Sequence, residues 1–214
     1  MQGMADAVVG ELLSTQKCVL VVVDAQRWFL APEHCPFPGP IQSFQPGVKI
    51  IAAARKAGVP VVWTASVEGG AGSPETVRRR WAARPGEPVL DVDDPAFEFV
   101  PPGPEPAEPV FLKHLPGGQD GDLFGATMSE HFRAGRSTAV ICGAWAGRCV
   151  LAVSLRLQSS GFDLVAAVDA VVAHPSHPHE HSTFVATFDS VVGFALPSRK
   201  IRQAWLERPH TYRA

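Results

Sequence analysis

A thiol, a carboxylate and an ammonium group stand at three places in this 214-residue chain where elements of an α/β fold should end. The segment Cys142-Gly-Ala-Trp-Ala-Gly-Arg-Cys149-Val reads as a buried strand that stops at Gly143, makes a tight turn and delivers Cys149 to the first turn of a helix. Unpaired backbone N–H groups at a helix start carry partial positive charge, so the placement predicts a thiolate, the form of cysteine that attacks carbonyl carbon. Asp24 closes the apolar run that begins at Cys18, and Lys113 closes the run that begins at Val110. An ionised group at the end of a buried strand is costly unless something compensates it, and these two can compensate each other. With the cysteine they make one chemical unit: the aspartate accepts the thiol proton and the ammonium stabilises the sulfur anion. Each has a plainer reading by itself, as a turn cap, a solvated lysine and a core filler. Their common position at one sheet edge favours the chemical one.

The elements that must hold them are regular. Short apolar runs alternate with helical periodicity, the pattern of βαβ units around a parallel sheet buried on both faces. Strands are expected at Cys18 to Asp24, Val59 to Ala65, Val110 to Lys113, Ser137 to Gly143, Asp163 to Asp169 and Val191 to Leu196. Helices are expected near Val48 to Ala57, Asp122 to Phe132, Arg148 to Ser160, His179 to Asp189 and Ser198 to Glu207, with a short one capped by Ser73 ahead of Pro74. No internal repeat is visible. Reactive groups in such a sheet belong just beyond the carboxyl ends of the strands. The length suits one domain, residues 1–214.

Composition narrows the partners. A net charge of -2 with 19% charged residues gives no electrostatic reason to expect nucleic acid or an anionic membrane, so a small-molecule substrate is expected. No apolar run approaches the roughly 18 residues of a membrane span, and the first residues lack a basic region followed by an apolar core, which points to the cytoplasm. Cys18 and Cys142 lie inside strand-like runs and Cys35 in a proline-rich loop, so no disulfide framework is expected.

The chain resembles the isochorismatase-like cysteine hydrolase family over nearly its whole length. The resemblance rests on Val-Val-Asp24-Ala-Gln26-Arg-Trp-Phe29, Phe-Leu-Lys113, Leu-Phe124-Gly125-Ala-Thr127-Met, Gly143 with Cys149-Val150, Gly161-Phe162 and Val168-Asp169-Ala170. It implies a three-layer α/β/α sandwich with a six-stranded parallel sheet of Rossmann-type topology. It also implies a catalytic triad of Asp24 as general base, Lys113 as stabiliser and Cys149 as nucleophile. A non-proline cis peptide between Ala144 and Trp145 is implied, with the N–H groups of Trp145 and Cys149 as the oxyanion hole. The implied reaction is attack of Cys149 on a small amide or ureido carbonyl, loss of ammonia or an amine protonated through Asp24, and hydrolysis of the thioester, with no cofactor. The family commonly assembles as homo-oligomers such as dimers or tetramers, and the apolar residues between Ile201 and Trp205, if exposed, would suit an interface.

Two other functions fit the resemblance. A vinyl-ether hydrolase of isochorismatase type would use Asp24 as an acid, but that branch generally lacks the cysteine. A catalytically silent, metabolite-binding member is suggested by Ala146 and Val153 where threonines are usual, and by the extra segment HLPGGQDGD after Lys113. Candidate substrate contacts are Gln26, Phe29 and Trp145 as pocket walls, Arg148 as a carboxylate receptor and His181 at the sheet end. Gln26 could equally be a turn residue, and the run Arg78-Arg79-Arg80 reads better as a solvated helix face. The nicotinamidase branch carries an Asp-x-His with a further histidine after strand two, but that region reads Trp63-Thr-Ala-Ser66-Val-Glu68 here, and the cluster His174, His177, His179 and His181 fits no standard metal spacing, so no metal is expected.

Overall fold

The computed structural model describes residues 2–69, 73–83, 86, 88–118 and 123–207. Strand β1 (Cys18–Val23) is a run of six buried residues, all but two of them valine, as a strand covered on both faces requires. Around it lie β2 (Val61–Ser66), β3 (Val110–Lys113), β4 (Thr138–Ala144), β5 (Asp163–Val172) and β6 (Phe194–Leu196). The sheet is six-stranded with order β3-β2-β1-β4-β5-β6, and every pairing is parallel. The chain moves outward from β1 to β3, then returns to lay β4 against β1 and moves outward the other way. A crevice is left at the strand ends where that direction reverses. Val23 pairs with Gly143 there, which sets the exit of β1 beside the exit of β4.

Helices cover both faces, so the fold is the expected three-layer α/β/α sandwich. Ile50, Ile51 and Ala54 of α3 (Gln45–Lys56) and Ile201 and Trp205 of α8 (Ser198–Leu206) pack with Cys142 on one face. Phe124 and Met128 of α5 (Leu123–Arg133), Val153 and Leu157 of α6 (Leu151–Ser159) and Phe184 of α7 (Glu180–Thr187) pack with Cys149 on the other. The alternating pattern begins at β1 and gives no sign of α1 (Gln2–Leu12), whose Val9 packs against the first layer. All four cysteines are free, and Cys142 and Cys149 belong to opposite faces of the sheet.

Most boundaries move by a residue or two, and the larger departures have local causes. Between α1 and α3 the four-residue helix α2 (Arg27–Leu30) follows β1. Helix α4 (Glu75–Ala82) starts after Pro74, but the buried Ser73 hydroxyl makes no hydrogen bond and does not cap it. Asp122, the expected start of α5, lies outside the described residues, as do residues 119–121 of the segment after Lys113. The register between β4 and β5 shifts between Ile141 and Gly143, and this irregularity lets β5 run on to Val172. Asp169 turns out of the ladder there and accepts from the backbone N–H (2.6 Å) and hydroxyl (2.9 Å) of Ser198 at the start of α8. Strand β6 is shorter than expected because Phe188–Val192 prolong α7 as a π-helical turn.

The proline-dense connection before β3 is tied down rather than loose. Glu108 accepts from Arg55 Nε and Nη2 at 2.8 Å each and from Trp63 Nε1 at 2.7 Å. Further upstream the same connection crosses the strand ends. Glu68 and Leu90 exchange N–H···O bonds of 2.9 Å, and Val100 N–H donates to Ala25 O at 2.9 Å. This rim closes one side of the crevice. Among the described residues no helix is long and apolar enough to cross a membrane.

Candidate active site

Asp24, the residue after β1, has φ of 48°, a left-handed conformation that aspartate tolerates better than most side chains. Its N–H donates to Thr64 O (3.1 Å), and its Oδ1 accepts from the Thr64 hydroxyl (2.6 Å), so β2 fixes both backbone and carboxylate. Lys113 ends β3, two strands away, opposite Ser66 in the ladder. Its extended side chain passes over the end of β2, where Nζ meets Ser66 Oγ at 3.3 Å, Asp24 Oδ2 at 2.6 Å and Cys149 Sγ at 3.1 Å. Asp24 and Lys113 are wholly buried and Cys149 is 5% exposed. Three side chains distant in sequence therefore meet at one ammonium group.

Cys149 reaches the cluster through a special turn. Gly143 has φ of 122°, and a Cβ there would overlap the Val23 carbonyl, so only glycine lets β4 leave this close to β1. The Ala144–Trp145 peptide is cis, as the resemblance implied. The expected helix start at Arg148 is a π-helical turn, Ala146–Val150, that leads into α6. The Trp145 carbonyl takes the N–H groups of Arg148 (3.1 Å) and Val150 (3.2 Å) and skips that of Cys149. That N–H can therefore serve an oxygen that gains charge at the sulfur.

Opposing influences act on the thiol that the sequence places at a helix start. Burial pushes the Cys149 thiol well up, Lys113 pulls it back, and Asp24 and Glu68 push it up again. Burial alone would also depress Lys113, but Asp24 and Cys149 hold it above its ordinary value. The ammonium contacts both the Asp24 carboxylate (2.6 Å) and the sulfur (3.1 Å), so the two compete for one positive charge.

A cavity of about 630 Å³, within the range of small-molecule sites, opens at Cys149. Its walls carry Phe37, Glu68, Arg80, Arg148, His174 and His177. Arg148 is thus where the sequence put it, exposed at the mouth with its guanidinium 5.4 Å from the Trp145 ring centre. Trp145 is 2% exposed and lies behind the wall, in edge contact with Phe29 (4.8 Å) and His174 (4.2 Å between ring centres). Phe29 supports Trp145 from the core and does not line the cavity. Gln26 is spent on the backbone: its Oε1 accepts from Ser66 N (2.7 Å), and its Nε2 donates to Ser66 O (3.2 Å) and Phe97 O (3.1 Å). His181 sits against the Val168 carbonyl at 2.8 Å, away from the cavity walls. Arg78 and Arg79 pair with Glu75 on the surface, and only Arg80 of that run reaches the cavity.

Phe37, Glu68, His174 and His177 are wall residues to which sequence reasoning gave no substrate contact. The ring nitrogens His174 Nδ1 and His177 Nδ1 lie 2.9 Å apart, which uses the two histidines on each other. Among the described residues no group of three or more His, Cys, Asp or Glu side chains is placed to hold a metal ion. Glu68 is the least conventional member. Burial raises its carboxyl above the usual range, against the pull of Lys113. A carboxyl whose pKa is raised on folding costs stability as pH rises from its unfolded value, about 4.3, through its folded one. Glu68→Gln should therefore melt above the wild type at pH 8, with the gap closing toward pH 4. A gap independent of pH in thermal unfolding would contradict this.

The family and structural comparisons agree with this architecture. A family model described as the isochorismatase domain matches residues 18–192. No curated protein matches. Among solved structures, a cysteine hydrolase from Pseudomonas syringae pv. phaseolicola superposes with a TM-score of 0.75 at 18% identity, over 91% of this chain and 94% of that one. The N-carbamoylsarcosine amidase of Thermoplasma acidophilum gives 0.66 at 24% identity, over 85% and 96%. An isochorismatase family protein from Desulfovibrio vulgaris subsp. vulgaris str. Hildenborough gives 0.68 at 18% identity, over 90% and 100%.

Proposed function

Because the chain belongs to the isochorismatase family, and because its buried cysteine, lysine and aspartate meet at one point, we propose that it is a cysteine-dependent amidohydrolase acting on a small amide or ureido compound. The observation that carries this reading is the Lys113 ammonium held between Asp24 (2.6 Å) and Cys149 (3.1 Å). In the first step the thiol proton passes to Asp24 as sulfur bonds to the carbonyl carbon. The carbonyl oxygen gains charge against backbone N–H groups of the turn, Cys149 N–H among them. Collapse breaks the C–N bond, and Asp24 returns the proton to the departing ammonia or amine. Water, deprotonated by Asp24, then adds to the thioester, and the C–S bond breaks to release the acid as Asp24 returns the proton to sulfur. Lys113 balances the negative charge at each stage. A vinyl-ether hydrolase would have no use for a thiol in contact with this lysine, and a silent binding protein would have no use for the buried ion pair.

Arg148 narrows the substrate. Among the described residues its guanidinium makes no ion pair, and it stands one residue before the nucleophile in the cavity wall. A substrate carboxylate a few bonds from the scissile amide fits it. The test is a panel of small amides and ureides, with and without a carboxylate, read by ammonia release and by intact mass under rapid quench. The wild type should gain the acyl mass with at least one carboxylate-bearing compound. Arg148→Ala should raise KM for that compound by about 10-fold to 100-fold, the worth of a charged hydrogen bond, and leave neutral amides unaffected. Turnover without any adduct, or equal KM changes for charged and neutral amides, would sink the corresponding half of the proposal.

A further inference from the structure

Glu180 opens α7, yet its carboxylate is not directed to its own helix. Oε1 accepts from the Gly147 N–H at 2.7 Å and Oε2 from the His174 N–H at 2.7 Å. Gly147 lies in the π turn two residues before Cys149, and His174 lies on the segment after β5 and packs on Trp145 at 4.2 Å. We infer that Glu180 is a positioning residue, whose carboxylate clamps the turn carrying Cys149 to the opposite wall of the cavity and so fixes where the sulfur and the Cys149 N–H point. This rests on the thioester reading above.

Three features support a geometric role. The first-turn N–H groups of a helix have no partner in their own helix, and in this turn the Gly147 N–H finds its partner in a carboxylate from another element. Secondly, the carboxylate packs directly on Gly147: a Cβ added there would come within 2.8 Å of Glu180 Oε1, so a larger residue would displace the carboxylate. Thirdly, the sign of the charge is wrong for chemical activation. A carboxylate near the nucleophile opposes both the sulfur anion and the oxyanion. If its charge mattered most, the enzyme would work better without it. Its two bonds must then contribute by holding the turn in register, which matters because a displacement of about 1 Å at a reacting group can cost on the order of 100-fold in rate.

Glu180→Gln separates the two possibilities. The amide keeps the size but has one acceptor oxygen, so it faces one of the two N–H groups with another donor. The acylation rate with the best substrate from the amide panel should fall about 10-fold to 100-fold, with KM within about threefold, because binding groups such as Arg148 are untouched. Backbone hydrogen exchange should quicken at Gly147 and His174 while the strands stay protected. Glu180→Asp, too short to span both donors, should behave alike, and covers the case in which the glutamine variant does not fold. Acylation at wild-type rate or faster, or unchanged exchange at both amides in a folded variant, would overturn the inference. Should no compound acylate the wild type, the thioester reading fails, and exchange at Gly147 and His174 still decides the clamp.

Discussion

Cys149→Ala is expected to lower turnover by about 10⁴-fold to 10⁶-fold, the loss seen when a covalent nucleophile is removed from a site whose other members act through it. The fold should survive. Alanine leaves a space only the size of a sulfur atom in the α6 and α7 layer, and Lys113 keeps its bond to Asp24. Cys149→Ser should be nearly as inactive. An alkoxide is far harder to form than a thiolate, and burial already opposes an anion at this position. The loss is read from ammonia release with the panel's best substrate, beside melting curves and intact mass. Retention of more than about 1% activity by a well-folded Cys149→Ala, free of wild-type contamination, would exclude the covalent route.

The meeting of Asp24, Lys113 and Cys149 was legible because each lies at or just after an element that hydrophobic periodicity defines sharply. Asp24 follows a run of buried valines, Lys113 ends the strand before the long insertion, and Cys149 follows a strand whose exit is marked by Gly143. Parallel topology then brings those ends to one edge. What the sequence hid depends on distances between elements. Glu68 follows β2 inconspicuously, and it faces the cavity because Leu90, far along the connection, pairs with its backbone. Gln26 looked like a pocket wall because it closely follows Asp24, but the end of β2 claims its amide. The surroundings of the sulfur were hidden for a related reason. A helix start favours the anion, yet here burial opposes it and the sulfur shares one ammonium group with Asp24, and spacing along the chain carries no such information. The extension of β5 to Val172 was likewise invisible, since it needs a register shift against β4.

That competition for Lys113 makes the buried pair the most informative place to mutate. Lys113→Met leaves the Asp24 carboxylate buried without its cation, and should cost about 3 to 5 kcal/mol in urea unfolding as well as abolish turnover. Asp24→Asn should act differently. It keeps the shape and the bond from Thr64, removes the proton acceptor, and should lower turnover by about 10² to 10⁴. It also frees the ammonium to act on sulfur. Asp24 raises the Cys149 thiol and Lys113 lowers it, so removal of the carboxylate charge moves the thiol down. The variant should therefore alkylate faster than the wild type at neutral pH although it turns over far more slowly, a pairing that follows only if Asp24 serves as a base. An Asp24→Asn/Lys113→Met double variant should recover most of the lost stability, since no unpaired charge remains buried, and none of the activity. If Asp24→Asn slowed alkylation and turnover together, Asp24 would be acting by holding Lys113 in place, and the proton path drawn through it would have to be abandoned.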